Sequence, residues 1–111
     1  MNLKNLIEKY ELEVLTDLYD NDKEVSGGYA GDLLSDVIAN TNKDDIWITM
    51  QTHLNIIAVA SLKELSAIII VMNRTVEDGV LEKARNEKIT ILRTDKTAFQ
   101  ISGMIYSLGV I

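Results

Sequence analysis

A glycine-rich segment precedes an apolar helical pattern at residues 33–39. Three glycines fall within the five residues 27–31, and glycine tolerates positive φ and lets a ligand or another chain approach the backbone. The helix that follows would offer unpaired N–H groups to an anion, although Asp32 could cap that helix with its own carboxylate. The sequence therefore predicts a loop that forms either a ligand site or a subunit contact, with candidate residues Ser26, Gly27, Gly28, Tyr29 and Asp32.

Arg74 and His53 are the other side chains that could recognise a ligand. A guanidinium at the end of a strand can bind a carboxylate or a phosphate through two hydrogen bonds, which makes Arg74 the strongest candidate for anion recognition. The alternative for Arg74 is a surface ion pair with Glu77 or Asp78. His53 is the only histidine, and its imidazole could contact a ligand. No second histidine accompanies it, so neither a metal site nor catalysis is expected.

Missing motifs exclude several kinds of active site. The sequence contains no Gly-x-x-x-x-Gly-Lys-Ser/Thr loop and no Gly-x-Ser-x-Gly elbow, and residues 27–31 do not supply the dinucleotide fingerprint. It contains no cysteine, which excludes a disulfide, a thiolate nucleophile and a sulfur metal site. The sequence therefore predicts that the protein is not an enzyme and holds no cofactor.

Two kinds of apolar pattern alternate along the chain and must position these residues. Runs rich in β-branched residues predict strands, and apolar residues spaced three or four apart predict helices. Strands are expected at 11–16, 46–50, 67–72 and 89–92, and helices at 2–10, 33–39, 54–65, 76–84 and 98–108. The alternation predicts an α/β fold: a three-layer α/β/α sandwich with a mostly parallel sheet of four to five strands.

The loops that leave parallel strands should converge at one edge of the sheet. Ligands bind at that edge where the strand order reverses. We therefore expect the glycine segment to meet the loops at 51–53, 73–75 and 93–97, with Gln51, His53, Asn73, Arg74 and Thr94 as further candidates for a ligand site or an interface. Threonines stand just before three helical patterns and are expected to cap them, namely Thr52, Thr75 and Thr94. Trp47 is expected in the core.

Length and charge limit the classes of partner. The 111 residues predict a single domain spanning 1–111. The net charge of −6 opposes nucleic-acid phosphates and anionic membrane surfaces. The apolar runs are shorter than the roughly 20 residues of a membrane span, and the start of the chain lacks a secretory apolar region. We expect a cytoplasmic protein with no nucleic-acid and no membrane partner.

Residues 12–110 resemble the DRTGG domains, which occur in regulatory regions. The resemblance is strongest at residues 65–84 and in Ile89-Thr90-Ile91-Leu92-Arg93-Thr94-Asp95-Lys96-Thr97-Ala98-Phe99. The latter is similar to the family's strand, threonine-bounded turn and aromatic-bearing helix. Similar domains lie beside CBS-domain pyrophosphatase modules and phosphotransacetylases, and a related fold precedes the kinase of the histidine-containing phosphocarrier protein. Where the family shows Gly-Asp-Arg and Thr-Gly-Gly, this chain has Gln51-Thr52-His53 and Met72-Asn73-Arg74.

The resemblance implies a non-catalytic regulatory or ligand-sensing domain that acts as a homodimer. Its expected ligand is a small anionic or nucleotide-like molecule bound by the candidate residues. The alternative is a pure protein–protein interaction module without a small-molecule ligand. In that interpretation Tyr29, the glycines and apolar surface contact a second copy or another protein.

Overall fold

The computed structural model describes residues 1–110, which form five helices and five strands. The strands are β1 (Glu13–Val14), β2 (Gly27–Ala30), β3 (Asp45–Thr49), β4 (Ala67–Ile70) and β5 (Ile91–Arg93). The helices are α1 (Leu3–Tyr10), α2 (Leu34–Asn40), α3 (Asn55–Lys63), α4 (Asp78–Asn86) and α5 (Ala98–Tyr106). None of these helices has the length and apolar character needed to cross a membrane.

The strands form one sheet in the order β1-β5-β4-β3-β2. β2, β3, β4 and β5 are parallel to one another, and the two-residue β1 is antiparallel to β5. The predicted α/β fold with a mostly parallel sheet of four to five strands is thereby confirmed, with five strands.

Helices cover both faces of the sheet because its central strands are apolar on both faces. Neighbouring residues of a strand point to opposite faces. Accordingly, Ile69 packs in a cluster with α1 and α5, whereas Ile68 packs in a cluster with α2, α3 and α4. Trp47 belongs to the second cluster and is completely buried. The three-layer arrangement and the core position of Trp47 follow the sequence predictions.

The glycine-rich segment is a strand, and its prediction as a loop is wrong. β2 lies beside β3 with Gly28 opposite Ile46 and Tyr29 opposite Trp47. Backbone hydrogen bonds join Ser26 N to the Asp44 oxygen at 3.0 Å and Gly31 N to the Ile48 oxygen at 3.0 Å. Within residues 1–110, Gly109 is the one glycine with positive φ. The glycines here therefore permit close packing on β3 rather than a tight turn.

The expected threonine caps are also wrong, because α3 and α4 begin three residues beyond Thr52 and Thr75. The N-cap residues of α2, α3 and α4 accept no hydrogen bond through their side chains. α5 is capped by Thr97 instead of Thr94. The Thr97 side chain accepts a hydrogen bond from Gln100 N at 3.2 Å, and Gln100 Oε1 accepts one from Thr97 N at 3.0 Å.

The strand order does not reverse between β2 and β5. The helices α2, α3 and α4, which connect these parallel strands, all lie on the same face of the sheet. The expected ligand site at a reversal of strand order therefore has no counterpart among the parallel strands. The chain changes face between α1 and α2 and again after β5, where α5 packs on the same face as α1, over β2 and β3.

Candidate functional site

Five residues from three loops line a cleft of about 250 Å³ at the carboxyl ends of β2, β3 and β4. We call it the carboxyl-edge cleft; its residues are Asp32, Met50, Gln51, Thr52 and Arg74. A wider, open cleft of about 520 Å³ adjoins it and shares Gln51 and Thr52. The wider cleft also contacts His53, Thr75 and Glu77. Parallel strands end at the same edge of a sheet, which explains how distant sequence positions meet here.

Asp32 fastens the end of β2 to the end of β3 and does not cap α2. Its Oδ1 accepts a hydrogen bond from Thr49 Oγ1 at 2.8 Å and another from Met50 N at 2.8 Å. The N-cap residue of α2 is Leu33, so the predicted cap by Asp32 is wrong. Two donors on one oxygen satisfy part of the carboxylate's hydrogen-bonding capacity.

Gln51 and His53 are held by local hydrogen bonds. Gln51 Nε2 donates to the Asp32 backbone oxygen at 3.2 Å, which ties the two strand ends together a third time. His53 Nδ1 accepts from Asn55 N at 3.0 Å. In a neutral imidazole with Nδ1 as acceptor, Nε2 carries the hydrogen and can donate to a ligand. Both side chains therefore offer neutral hydrogen-bond donors.

Arg74 lines the carboxyl-edge cleft with a guanidinium that makes no salt bridge within residues 1–110. The expected ion pair with Glu77 or Asp78 is not formed. Arg74 is exposed and follows two residues whose backbone is in the left-handed region, Met72 at φ 57° and Asn73 at φ 51°. Such backbone costs about 1–2 kcal/mol per residue when the residue is not glycine. Strain of this kind is concentrated at functional sites.

The strained turn is anchored to the loop after β5. Met72 N donates to the Lys96 oxygen at 2.9 Å, and Asn73 N donates to the Thr94 oxygen at 2.8 Å. Arg93 Nη1 donates to the Arg74 oxygen at 3.3 Å. These bonds hold the backbone that positions Arg74. They also occupy the N–H groups of Met72 and Asn73, which therefore cannot bind an anion, so the charge of Arg74 would attract it.

Asn73 and Thr94 lie in a different cleft from Arg74. This third cleft, of about 300 Å³, is at the end of β5 and includes Arg93 and Lys96. Thr94 is buried, and its hydroxyl accepts a hydrogen bond from Lys96 N at 3.3 Å. Arg93 is paired with Glu13 at 2.9 Å. The structure thus divides the predicted loop residues among three clefts at the same edge: Gln51 and Arg74 line the carboxyl-edge cleft, His53 lines the wider cleft, and Asn73 and Thr94 line the third.

Four candidate residues in or just before β2 lie outside the three clefts at the carboxyl edge: Ser26, Gly27, Gly28 and Tyr29. Gly27 lies opposite Asp45, at the start of β3. At about 3.3 Å per residue, Gly27 is roughly 16 Å from Asp32. Gly28 and Tyr29 instead line an apolar groove of about 120 Å³ between β2 and α5, which we call the edge groove. Its other residues are Ala30, Ile46, Ile48, Ser102, Ile105, Tyr106 and Val110.

Sequence reasoning missed two exposed aromatic residues of α5. Phe99 is 89% exposed and Tyr106 is 66% exposed. The sequence could have predicted their exposure, because Phe99 and Tyr106 are seven residues apart and do not share the spacing of the buried residues Ile101 and Ile105. It also missed Thr49, whose hydroxyl binds Asp32.

The carboxyl-edge cleft gathers charged and polar groups from three loops. No cluster of three or more histidine, aspartate or glutamate side chains that could hold a metal ion occurs in the part of the chain that the structure describes. His53, which lines the wider cleft, accepts a hydrogen bond through Nδ1 from the backbone of its own loop. The carboxyl-edge cleft combines the Arg74 guanidinium, the Asp32 carboxylate, the Gln51 amide and the Thr52 hydroxyl. A guanidinium can bind a carboxylate or a phosphate through two hydrogen bonds.

Neither a protein-family model nor a curated protein matches the sequence. The structure is similar to a crystal structure of the CBS and DRTGG domains of the regulatory region of Clostridium perfringens pyrophosphatase, complexed with its activator, diadenosine tetraphosphate. The TM-score is 0.76 and the sequence identity is 18%, over 94% of this chain and 45% of the other. This chain therefore spans less than half of the protein it matches. The predicted resemblance to DRTGG domains is confirmed at the level of the fold.

Proposed function

We propose that this chain is a non-catalytic regulatory domain that senses a small anionic or nucleotide-like ligand at the carboxyl-edge cleft and acts as a homodimer. The observation that carries the ligand site is the unpaired guanidinium of Arg74 in a cleft with Asp32, Gln51 and Thr52. The likeness in fold to a regulatory region that binds a nucleotide activator supports the regulatory role.

Charge favours Arg74 as the group that recognises the ligand. The chain has a net charge of −6, so an anion meets repulsion over much of its surface. Arg74 forms no salt bridge with the residues that the structure describes, 1–110, so its guanidinium provides a local attraction and can bind a carboxylate or phosphate with two parallel hydrogen bonds. The Gln51 amide and the Thr52 hydroxyl add neutral groups that fix orientation.

The carboxylate of Asp32 indicates which class of ligand fits the carboxyl-edge cleft. Its carboxylate faces the same cleft as Arg74, and only Oδ1 accepts hydrogen bonds from Thr49 and Met50. A ligand that carries both an anionic group and a hydroxyl or amine donor would satisfy Arg74 and Asp32 together. Nucleotides have this combination, whereas a simple inorganic anion does not.

Titration calorimetry and thermal unfolding with AMP, ATP and diadenosine tetraphosphate test the site. A ligand that binds only the folded state, at one hundred times its Kd, adds about 2.7 kcal/mol to the free energy of unfolding. Arg74→Ala should weaken binding by roughly 10- to 100-fold, because a hydrogen bond to a charged group contributes about 1.5–3 kcal/mol. Lys4→Ala is the matched control: it removes an exposed positive charge from α1 and should leave Kd unchanged.

The alternative function is a pure protein–protein interaction module. The exposed Phe99 and Tyr106 favour it, since neither residue lies in the carboxyl-edge cleft. If no nucleotide raises the melting temperature or releases heat on titration, the ligand-sensing proposal is contradicted and the interaction module is favoured. Binding that Arg74→Ala leaves unchanged would contradict the proposed site.

A further inference from the structure

Residues 1–3 pair antiparallel with the chain just before β2, through hydrogen bonds from Val25 N to the Met1 oxygen and from Leu3 N to the Lys23 oxygen, both at 2.8 Å. Among residues 1–110, β2 itself has no neighbouring strand on its outer side, whereas the opposite edge of the sheet is protected. An end strand leaves one row of backbone N–H and C=O groups without a neighbouring strand, and proteins usually shield it with charge, proline or a very short strand. β1 is two residues long and carries the Glu13–Arg93 ion pair. β2 consists of Gly27, Gly28, Tyr29 and Ala30, has no charged residue, and belongs to a chain without proline.

An exposed aromatic side chain lies beside this open edge, because Tyr106 lines the edge groove. α5 packs over β2 and β3 and leaves Phe99 89% and Tyr106 66% exposed. Residues seven apart lie on one side of a helix. On the other face, α2 is the helix at the β2 end of the sheet, and it is flanked by Leu33, which is 63% exposed. Apolar surface therefore borders β2 on both faces.

The edge groove stays open because β2 has almost no side chains on the α5 face. Gly28 lies opposite Ile46 and Ala30 opposite Ile48, so the strand adds at most one methyl group over each isoleucine. Ser102 lines the same groove, and its Oγ is buried without a hydrogen-bond partner among residues 1–110. A buried hydroxyl is normally hydrogen-bonded, so the Ser102 hydroxyl is available to a polar group that enters the edge groove.

The distribution of charge selects a second copy as the partner of this surface. Residues 26–31 and 97–110 contain no aspartate, glutamate, lysine or arginine, although charged residues make up 25% of the protein. A cationic partner would find no carboxylate on this surface. Two copies with a net charge of −6 each repel one another, and a surface without charges lets them meet with the least repulsion.

We propose that two copies associate about a twofold axis perpendicular to the sheet, with β2 antiparallel to β2 of the second copy. Such an axis keeps each face of the sheet on its own side, so α5 meets α5 and the two sheets become one. Phe99 and Tyr106 would bury about 300 Å² per copy. A stable interface takes about 800 Å² per partner, so the strand edge and the Leu33 side must supply the remainder.

The inference rests on the homodimer of the proposed function and not on its ligand site. The two fail separately, because one is measured as mass and the other as ligand binding. Sedimentation equilibrium of the full chain at micromolar concentrations should give twice 12.4 kDa. Phe99→Lys and Tyr106→Lys should each raise the dimer dissociation constant roughly tenfold or more, since buried aromatic anchors dominate interfaces. Both variants lower the net negative charge, so long-range repulsion cannot explain a loss.

Leu62→Lys is the matched control. Leu62 lies on α3, away from the β2 edge, and is 68% exposed, close to the value for Tyr106. This variant should remain a dimer. Ala30→Lys places a charge on β2 itself and should dissociate the dimer, because Ala30 is exposed on the open edge. A wild-type mass of 12.4 kDa, dimers in all three edge variants, or dissociation by Leu62→Lys would each overturn the proposal.

Discussion

At the scale of single residues, the turn Met72–Asn73 is the most unusual feature of the carboxyl edge. Both residues have positive φ, at 57° and 51°, without being glycine. The turn conformation persists because Met72 N and Asn73 N donate to the loop after β5. The tertiary hydrogen bonds thus impose a backbone that the side chains disfavour.

Met72→Gly should therefore leave the free energy of unfolding unchanged or raise it by up to about 1 kcal/mol, because glycine removes the strain of a left-handed residue. Met50→Gly is the matched control, since Met50 is 39% exposed, Met72 is 45% exposed, and Met50 has no positive φ. It should lower that free energy by about 0.5–1 kcal/mol through backbone entropy. Urea denaturation of both variants measures the difference, and equal losses would contradict the strain.

At the scale of secondary-structure elements, β2 shows how pairing overrides composition. Its first two residues are glycines, which weaken a strand by entropy. Hydrogen bonds to β3 and the bond from Trp47 Nε1 to the Gly31 oxygen, at 2.8 Å, hold this segment in place. Gly28 has no positive φ, so the strain expected for a glycine loop is absent.

Gly28→Val should change the free energy of unfolding by less than about 1 kcal/mol, because extended backbone accepts β-branched residues. An added Cβ would lie 3.3 Å from Ile46 Cγ2 and 3.6 Å from the Ile46 oxygen, which small shifts relieve. Gly31→Val should cost at least about 1 kcal/mol more, since its Cβ would lie 3.0 Å from the Tyr29 ring. Thermal unfolding at a concentration where both variants are monomeric makes the comparison. A larger loss in Gly28→Val would contradict the assignment of β2.

At the scale of the whole molecule, one sheet joins two apolar cores. Ile68 and Ile69 are consecutive in β4, are both completely buried, and belong to different cores. Since the same strand supports both clusters, loss of packing on either face removes support from the other. The protein should unfold as one cooperative unit.

Ile68→Ala and Ile69→Ala should each lower the free energy of unfolding by about 2–5 kcal/mol, the range for removing a buried large aliphatic side chain. Leu62→Ala, at a position 68% exposed, should cost less than about 0.5 kcal/mol. Chemical denaturation followed by Trp47 fluorescence and by circular dichroism should give coincident transitions for all three variants. Separate transitions by the two probes would show that the cores unfold independently.

The sequence alone determined the layers of this protein and the order of its elements apart from β2, which it predicted as a loop. The continuously apolar β4 predicts a strand buried on both faces, because such burial requires apolar residues at consecutive positions. The amphipathic helices predict the layers that cover these faces. The sequence also predicted the position of Arg74, since a guanidinium that follows a buried strand must lie at the edge of a parallel sheet. Its presence in a cleft with Asp32 and Gln51 was expected from the same rule, although the function of that cleft remains a prediction.

Only the tertiary structure decided what the glycine segment became and how the candidate residues are divided. Glycine lacks a side chain whose burial would favour one state, so residues 27–30 took the strand state that β3 imposed by hydrogen bonding. The turn after β4 places the consecutive residues Asn73 and Arg74 in different clefts. Strand order left β2 at an edge beside Tyr106. Periodicity reports which face of an element is buried, but neighbours in space are fixed by how the whole chain packs.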